Sequence, residues 1–246
     1  ADPDEPNLAD ALVGSYTGPV EDLIRHRRPH TSGGQLDVIP TSVSMFLVVR
    51  KLYSGRAPES KLARLLERLP EGLYDHVLID CPPSLDILTD TALVAADGLV
   101  VPVQPNNTSL RALRLLIEQV AVVEEELQLP RRELYGLVPG IYRRPLSGIA
   151  KYKMAQLEQY GAPEDPGVPA LPVLAHLPLA AVVEEAWLSG ETVVDYKPTA
   201  PIAQAYRRIA LRLDVAAGLS PEQAWIGLPD LEPLTAEPQL TSAGGE

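Results

Sequence analysis

The chain has a single cysteine, Cys81, so no internal disulfide can form, and this usage fits a reducing compartment. Its four histidines, His26, His30, His76 and His176, are scattered, and without CxxC or HxxxH spacing they offer no metal framework. The first residues show no basic-then-apolar pattern. The longest nearly apolar stretches, 87–96 and 99–103, fall far short of the ~20 residues that a membrane-spanning helix needs. The sequence therefore reads as cytoplasmic, without a membrane role. Basic residues are outnumbered, 21 against 33 acidic ones, and the formal net charge of -12 disfavours a surface that attracts polyanions everywhere. Nucleic-acid binding must then rest on a local patch. Also absent is any GxxxxGK[ST] stretch, the pattern whose loop amides and lysine cradle phosphates. Gly33-Gly34 runs into Gln35 and Leu36 and reads as a turn, while Gly244-Gly245 lies in the C-terminal stretch.

What the sequence does have is 46% apolar residues over 246, enough for a substantial core. Asn7 stands as an N-cap before Leu8, Ala11 and Leu12, and Gly14 as a stop, which predicts a short helix. A second short helix is expected in "PVEDLIRHRR", a short strand in "GGQLDVIPTS", and helices in "SMFLVVRKLY" and "SKLARLLERL". From there strand and helix alternate. "DHVLID" predicts a strand, "DILTDTALVAA" a helix, "DGLVVPV" a strand, and residues 108–127 a long helix with Leu110, Leu113, Val120 and Val123 on its buried stripe. "ELYGLVPG" and "PVLAHLP" predict two more strands, and "GIAKYKMAQLEQYG" and "AAVVEEAWLSG" two helices, the latter ended by Gly190. A last helix from Thr199 and Pro201 would bury Ile202, Ala205, Tyr206, Ile209 and Leu213.

Strands apolar on both faces and separated by helices call for a mostly parallel sheet covered on two sides, an α/β doubly wound domain over residues 1–218. Residues 219–246 are rich in Pro, acidic and small residues and read as a flexible acidic tail, with Trp225 and Ile226 docking locally. In such sheets ligands bind beyond the carboxyl ends of the strands. Asp80 sits at one of these ends, followed by Cys81, Pro82, Pro83 and Ser84. A carboxylate there can orient the water shell of a Mg²⁺ held by nucleotide phosphates, and the prolines stiffen the loop after it. Read by itself, Asp80 suits a turn or a helix cap. Cys81 has no base beside it in the pattern and does not read as a nucleophile.

The run "YDHVLIDCPPSLDILTDTALVAADGLVVPVQPNNTSLRALRLLIEQV" resembles the ParA/MinD group of deviant-Walker P-loop ATPases, and the likeness resumes at "ELYGLVPGIYRR" and at "LPLAAVVEEAWLSGETVVDYKPTAPIAQAYRRIA". It covers most of residues 7–214. The resemblance implies that Asp80 is the catalytic Walker B carboxylate acting on Mg²⁺ through water, that the Cys81–Ser84 loop, Pro82 included, reports ATP, and that Gly140, Ile141, Pro178 and Leu179 line the adenine pocket. It further implies an ATP-dependent homodimer, non-specific DNA binding, a ParB-like activator, and a role in plasmid or chromosome partitioning, with nucleoid association. DNA phosphates would then meet Arg143, Arg144, Lys151, Lys153, Arg207, Arg208 and Arg212, although the last three equally suit a solvated helix face. Where the family often reads "IPRSVRLAEAPS", this chain has "LPLAAVVEEAWL", with Leu179 and Val182 in place of arginines. That departure admits a cargo other than DNA, and a non-catalytic scaffold is a third reading. The resemblance also starts after the family's first βα unit, so an N-terminal P-loop unit is expected beyond Ala1, and residues 1–246 alone are not expected to hydrolyse ATP.

Overall fold

The computed structural model describes residues 5–26, 34–43, 45–161, 170–222 and 224. It divides into two compact units, one of residues 1–98 with 116–133, the other of residues 99–115 with 134–246.

The first unit is mostly helical. Helix α1 (Leu8–Val13) starts where the sequence predicts: the Asn7 carboxamide oxygen accepts from the Ala9 amide at 3.0 Å, and Asp10 reaches back to the Asn7 amide at 3.3 Å. Its last turn is closed by Lys61, whose Nζ donates to the Leu12 carbonyl at 2.9 Å. The expected second helix is instead a single 3₁₀ turn, Val20–Leu23, which leads into strand β1 (Arg25–His26). That strand pairs antiparallel with β2 (Asp37–Val38). Helices α2 (Met45–Tyr53), α3 (Lys61–Leu66) and α4 (Ile87–Ala95) come next. Leu12, Leu23, Val48, Leu52, Leu62, Leu65 and Ile87 interlock as their common core.

The predicted strand 75–80 departs from expectation. Among the described residues it joins no ladder, and Val77 and Leu78 are 52% and 78% exposed. The start of this segment is tied down, because the Tyr74 hydroxyl donates to Asp37 Oδ2 at 2.6 Å. This hydrogen bond, with burial next, pushes the Tyr74 pKa up to about 12.

The second unit is built on a parallel sheet. Strand β3 (Gly98–Val103) begins at the unit boundary and neighbours β4 (Glu133–Pro139). Glu133 N donates to Asp97 O and Gly140 N to Val103 O, so both chains advance in the same direction. The predicted strand around Leu174 continues the sheet through two parallel bridges, Leu137 with Val173 and Gly140 with Leu177. Leu137, Leu171 and Leu174 are wholly buried. Helix α5 (Asn107–Glu126) belongs to this unit up to Leu115 and to the first from Leu116 on, and helices α6 (Gly148–Gln159), α7 (Ala181–Ser189), α8 (Val193–Tyr196) and α9 (Pro201–Ala216) follow in the second unit. Gly190 ends α7 in the left-handed conformation, φ 72°, where a Cβ would be strained. Tyr206 of α9, expected inside, is 40% exposed. Of the expected tail, residues 219–222 and 224 are described, and Trp225, Ile226 and residues 227–246 lie outside the described residues. Residues Gly33 and His30 lie outside them as well. No helix among the described residues is long and apolar enough to cross a membrane.

Candidate functional site

Asp80 is exposed, and among the described residues no hydrogen bond or ion pair engages its carboxylate. It is neither a helix cap nor a turn acceptor, which removes the two local roles that the sequence left open. The cap of α4 is Asp86, whose Oδ1 accepts from Leu88 N at 2.9 Å while its Oδ2 accepts from the Ser84 hydroxyl at 3.0 Å. Ser84 N donates to Pro82 O at 2.8 Å, and the Thr89 hydroxyl donates to Ser84 O. The loop after Asp80 is thus fastened at Ser84 and Asp86, while Cys81, Pro82 and Pro83 stand exposed. Local burial, and next the Asp80 carboxylate, raise the Cys81 thiol above its ordinary value, the opposite of an activated nucleophile.

In the second unit the ends of β4 and of the strand-like segment at 173–177 converge. Leu177 N donates to Pro139 O at 2.8 Å, Ile141 N to Leu177 O at 3.0 Å, and Leu179 N to Tyr142 O at 2.9 Å. Gly140, Ile141, Pro178 and Leu179, which the sequence places in two separate loops, are therefore brought together. Ile141 adopts φ 54° and is 65% exposed, and Leu179 is 53% exposed, so an apolar rim is offered at the carboxyl end of the sheet.

The cations divide into two groups. Arg143, Arg144 and Lys151 are exposed; Lys153 lies over the Tyr152 ring at 5.0 Å and donates to Gln156. The arginines of α9 are turned to internal work. Arg207 donates to Pro198 O at 2.6 Å and Arg208 Nε to Leu174 O at 2.9 Å, while Arg212 stacks 5.4 Å from the centre of the Tyr135 ring. These contacts tie α9 to its neighbours and to the sheet, while Arg207 remains exposed.

Two residues that the sequence pattern does not single out join this region. Tyr142 is 6% exposed, yet among the described residues its hydroxyl has no hydrogen-bond partner, and the buried His176 Nδ1 has none either. The visible signal was a histidine inside an apolar strand and a tyrosine just past another. Burial, and then the Arg144 guanidinium, push His176 down to about 4. Arg144 is the charged group whose field reaches it among the described residues. The unfolded chain, with an ordinary histidine near 6.5, binds the proton more readily. Stability therefore rises with pH between about 4 and 6.5 and is lost on acidification through that window. Urea midpoints at pH 7 and pH 4.5 are expected to differ less in His176→Gln than in the unaltered chain, and equal differences would refute this assignment.

The AAA domain family model AAA_31 matches residues 2–131. The chain is 36% identical to a chromosome-partitioning ATPase Soj of Thermus thermophilus over 147 residues, 59% of this chain and 55% of that protein. It is 27% identical over 176 residues to an uncharacterised protein of Methanocaldococcus jannaschii, 72% of this chain and 64% of that one. The chain thus spans less than two thirds of these relatives. In fold it is similar to the septum site-determining protein MinD of Pyrococcus horikoshii, a structure complexed with Mg-ADP. The TM-score is 0.60 at 24% identity, covering 89% of this chain and 77% of that one.

Proposed function

The chain belongs to the ParA/MinD-type P-loop ATPases, and from that membership we propose that the whole protein is a partition ATPase that moves DNA by Mg-ATP-dependent dimerisation and release under a ParB-like activator. The observation that carries the reading is the hydrogen-bonded convergence of 139–142 with 177–179 at the carboxyl end of a parallel sheet. In the first unit Asp80, without a partner among the described residues, suits the water shell of Mg²⁺; in the second unit, taken by itself, the apolar rim at Ile141, Pro178 and Leu179 suits a purine face. The fit stops at the phosphates. Residues 1–246 contain no GxxxxGK[ST] loop, so the groups that would hold a triphosphate are not among them, and we derive no hydrolytic step for this chain.

DNA contact falls to Arg143, Arg144 and Lys151, since the α9 arginines are engaged elsewhere. Three cations against phosphates give a log–log salt slope no steeper than about -3. Retention on non-specific duplex DNA is expected at low salt, and Arg143→Ala with Lys151→Ala should flatten the slope by about two. Absence of retention at low salt in the presence of Mg-ATP would sink the DNA reading. A second reading, a ParA-like ATPase that positions a cargo other than DNA, draws support from the internal use of Arg207, Arg208 and Arg212. It predicts that same lack of retention together with intact nucleotide binding by the whole protein.

A further inference from the structure

We propose that Tyr142, Arg144 and His176 form a binding site for an oxyanion, a phosphoryl or carboxylate group, at the carboxyl end of β4 and the strand-like segment beside it. The site shares Arg144 with the proposed DNA contacts, but a small-anion titration uses neither DNA nor nucleotide, so its outcome and that of the partition reading are distinguishable.

The Tyr142 hydroxyl and His176 Nδ1 are buried without partners among the described residues. A buried polar atom left unpaired is costly, and native structures rarely leave two in one region without something that serves them. The Ile141 N–Leu177 O and Leu179 N–Tyr142 O hydrogen bonds, 3.0 and 2.9 Å, hold the two segments side by side, and the Arg144 guanidinium is near enough to act electrostatically on both side chains. Arg144 is itself exposed, two residues beyond Tyr142. The left-handed turn at Ile141, φ 54°, breaks the strand alternation between β4 and Tyr142. Hydroxyl, guanidinium and imidazole can all donate, and none of them carries negative charge at neutral pH. An acceptor-only group with two or more oxygens complements them; a cation or an apolar group does not. A bound water could serve one of these atoms, whereas an oxyanion can accept from all three groups. An oxyanion beside His176 also opposes the two causes that hold its pKa down, so binding and proton uptake are coupled.

The full chain is titrated with sodium phosphate, sodium acetate and sodium chloride at matched ionic strength, and the His176 imidazole signal is followed by NMR. Phosphate or acetate is expected to raise the His176 midpoint saturably, and chloride is not. Saturation by phosphate alone assigns a phosphoryl ligand, and by acetate alone a carboxylate. Arg144→Gln should weaken the effect at least about tenfold. Tyr142→Phe should weaken it severalfold while leaving the unfolding temperature unchanged or higher, because the hydroxyl it removes has no partner. A midpoint that ignores both oxyanions overturns the proposal. So does an unchanged response in Arg144→Gln, or a Tyr142→Phe variant that loses stability and keeps its phosphate affinity.

Discussion

Gly136→Ala is expected to cost the second unit roughly 3–5 kcal/mol, a large share of a domain's usual margin. Gly136 lies inside β4 at φ 148°, a conformation that L side chains rarely adopt. A Cβ there would sit 2.3 Å from the Pro172 carbonyl oxygen and 2.7 Å from Leu174 Cδ2. Neither neighbour can give way cheaply. Leu137 N donates to that same Pro172 oxygen, and Leu174 is wholly buried, so relief would break a sheet contact or open the core. Gly140→Ala is the matched control four residues along the chain. Its Cβ would meet nothing closer than the Leu177 oxygen at 3.6 Å, an ordinary contact. Urea unfolding should separate the two variants clearly, and similar midpoints would contradict the packing described for β4.

The difference between these glycines was not legible in "ELYGLVPG", where both read as breaks near a strand. What periodicity conveys is the face that an element wants to bury. The stripe at Leu110, Leu113, Val120 and Val123 located α5 to within a residue at each end, because a long helix supplies its own hydrogen bonds and needs only a partner surface. Gly190 and Asn7 were readable for the same reason, since a cap acts within its own turn. The α9 arginines were readable as charges only. Arg208 finds its acceptor at Leu174, 34 residues away, and no local pattern names that carbonyl. Asp80 in the first unit, and the two loops at 140–141 and 178–179 in the second, were visible through the pattern of strand ends, whereas Tyr142 and His176 were not. Their distinguishing property is an unpaired polar atom, which exists only once the sheet is assembled.

The backbone amides of Val77, Leu78, Ile79 and Asp80 are expected to exchange hydrogen at nearly unprotected rates. None of them has a hydrogen-bond acceptor among the described residues, although the sequence has every mark of a buried strand. The amides of Leu137 and Leu174, each bonded at 2.8 Å in the sheet, should exchange at least about a thousandfold more slowly, since every 1.4 kcal/mol of opening cost contributes about tenfold. A strand's stability lies in the ladder on either side, so an apolar run can be strongly strand-forming and still remain unpaired. Slow exchange at 77–80 that disappears on dilution would instead mean that copies of the chain pair along this segment, the known hazard of an open apolar strand. The point bears on Asp80 directly. A carboxylate that orients metal-bound water must be held within about half an ångström, and a segment without ladder bonds does not hold it. On the partition reading, whatever pairs with residues 77–80 therefore also sets the position of Asp80. Protection at these amides and binding of Mg-nucleotide should accordingly appear together in the whole protein, and binding without protection would separate Asp80 from the metal.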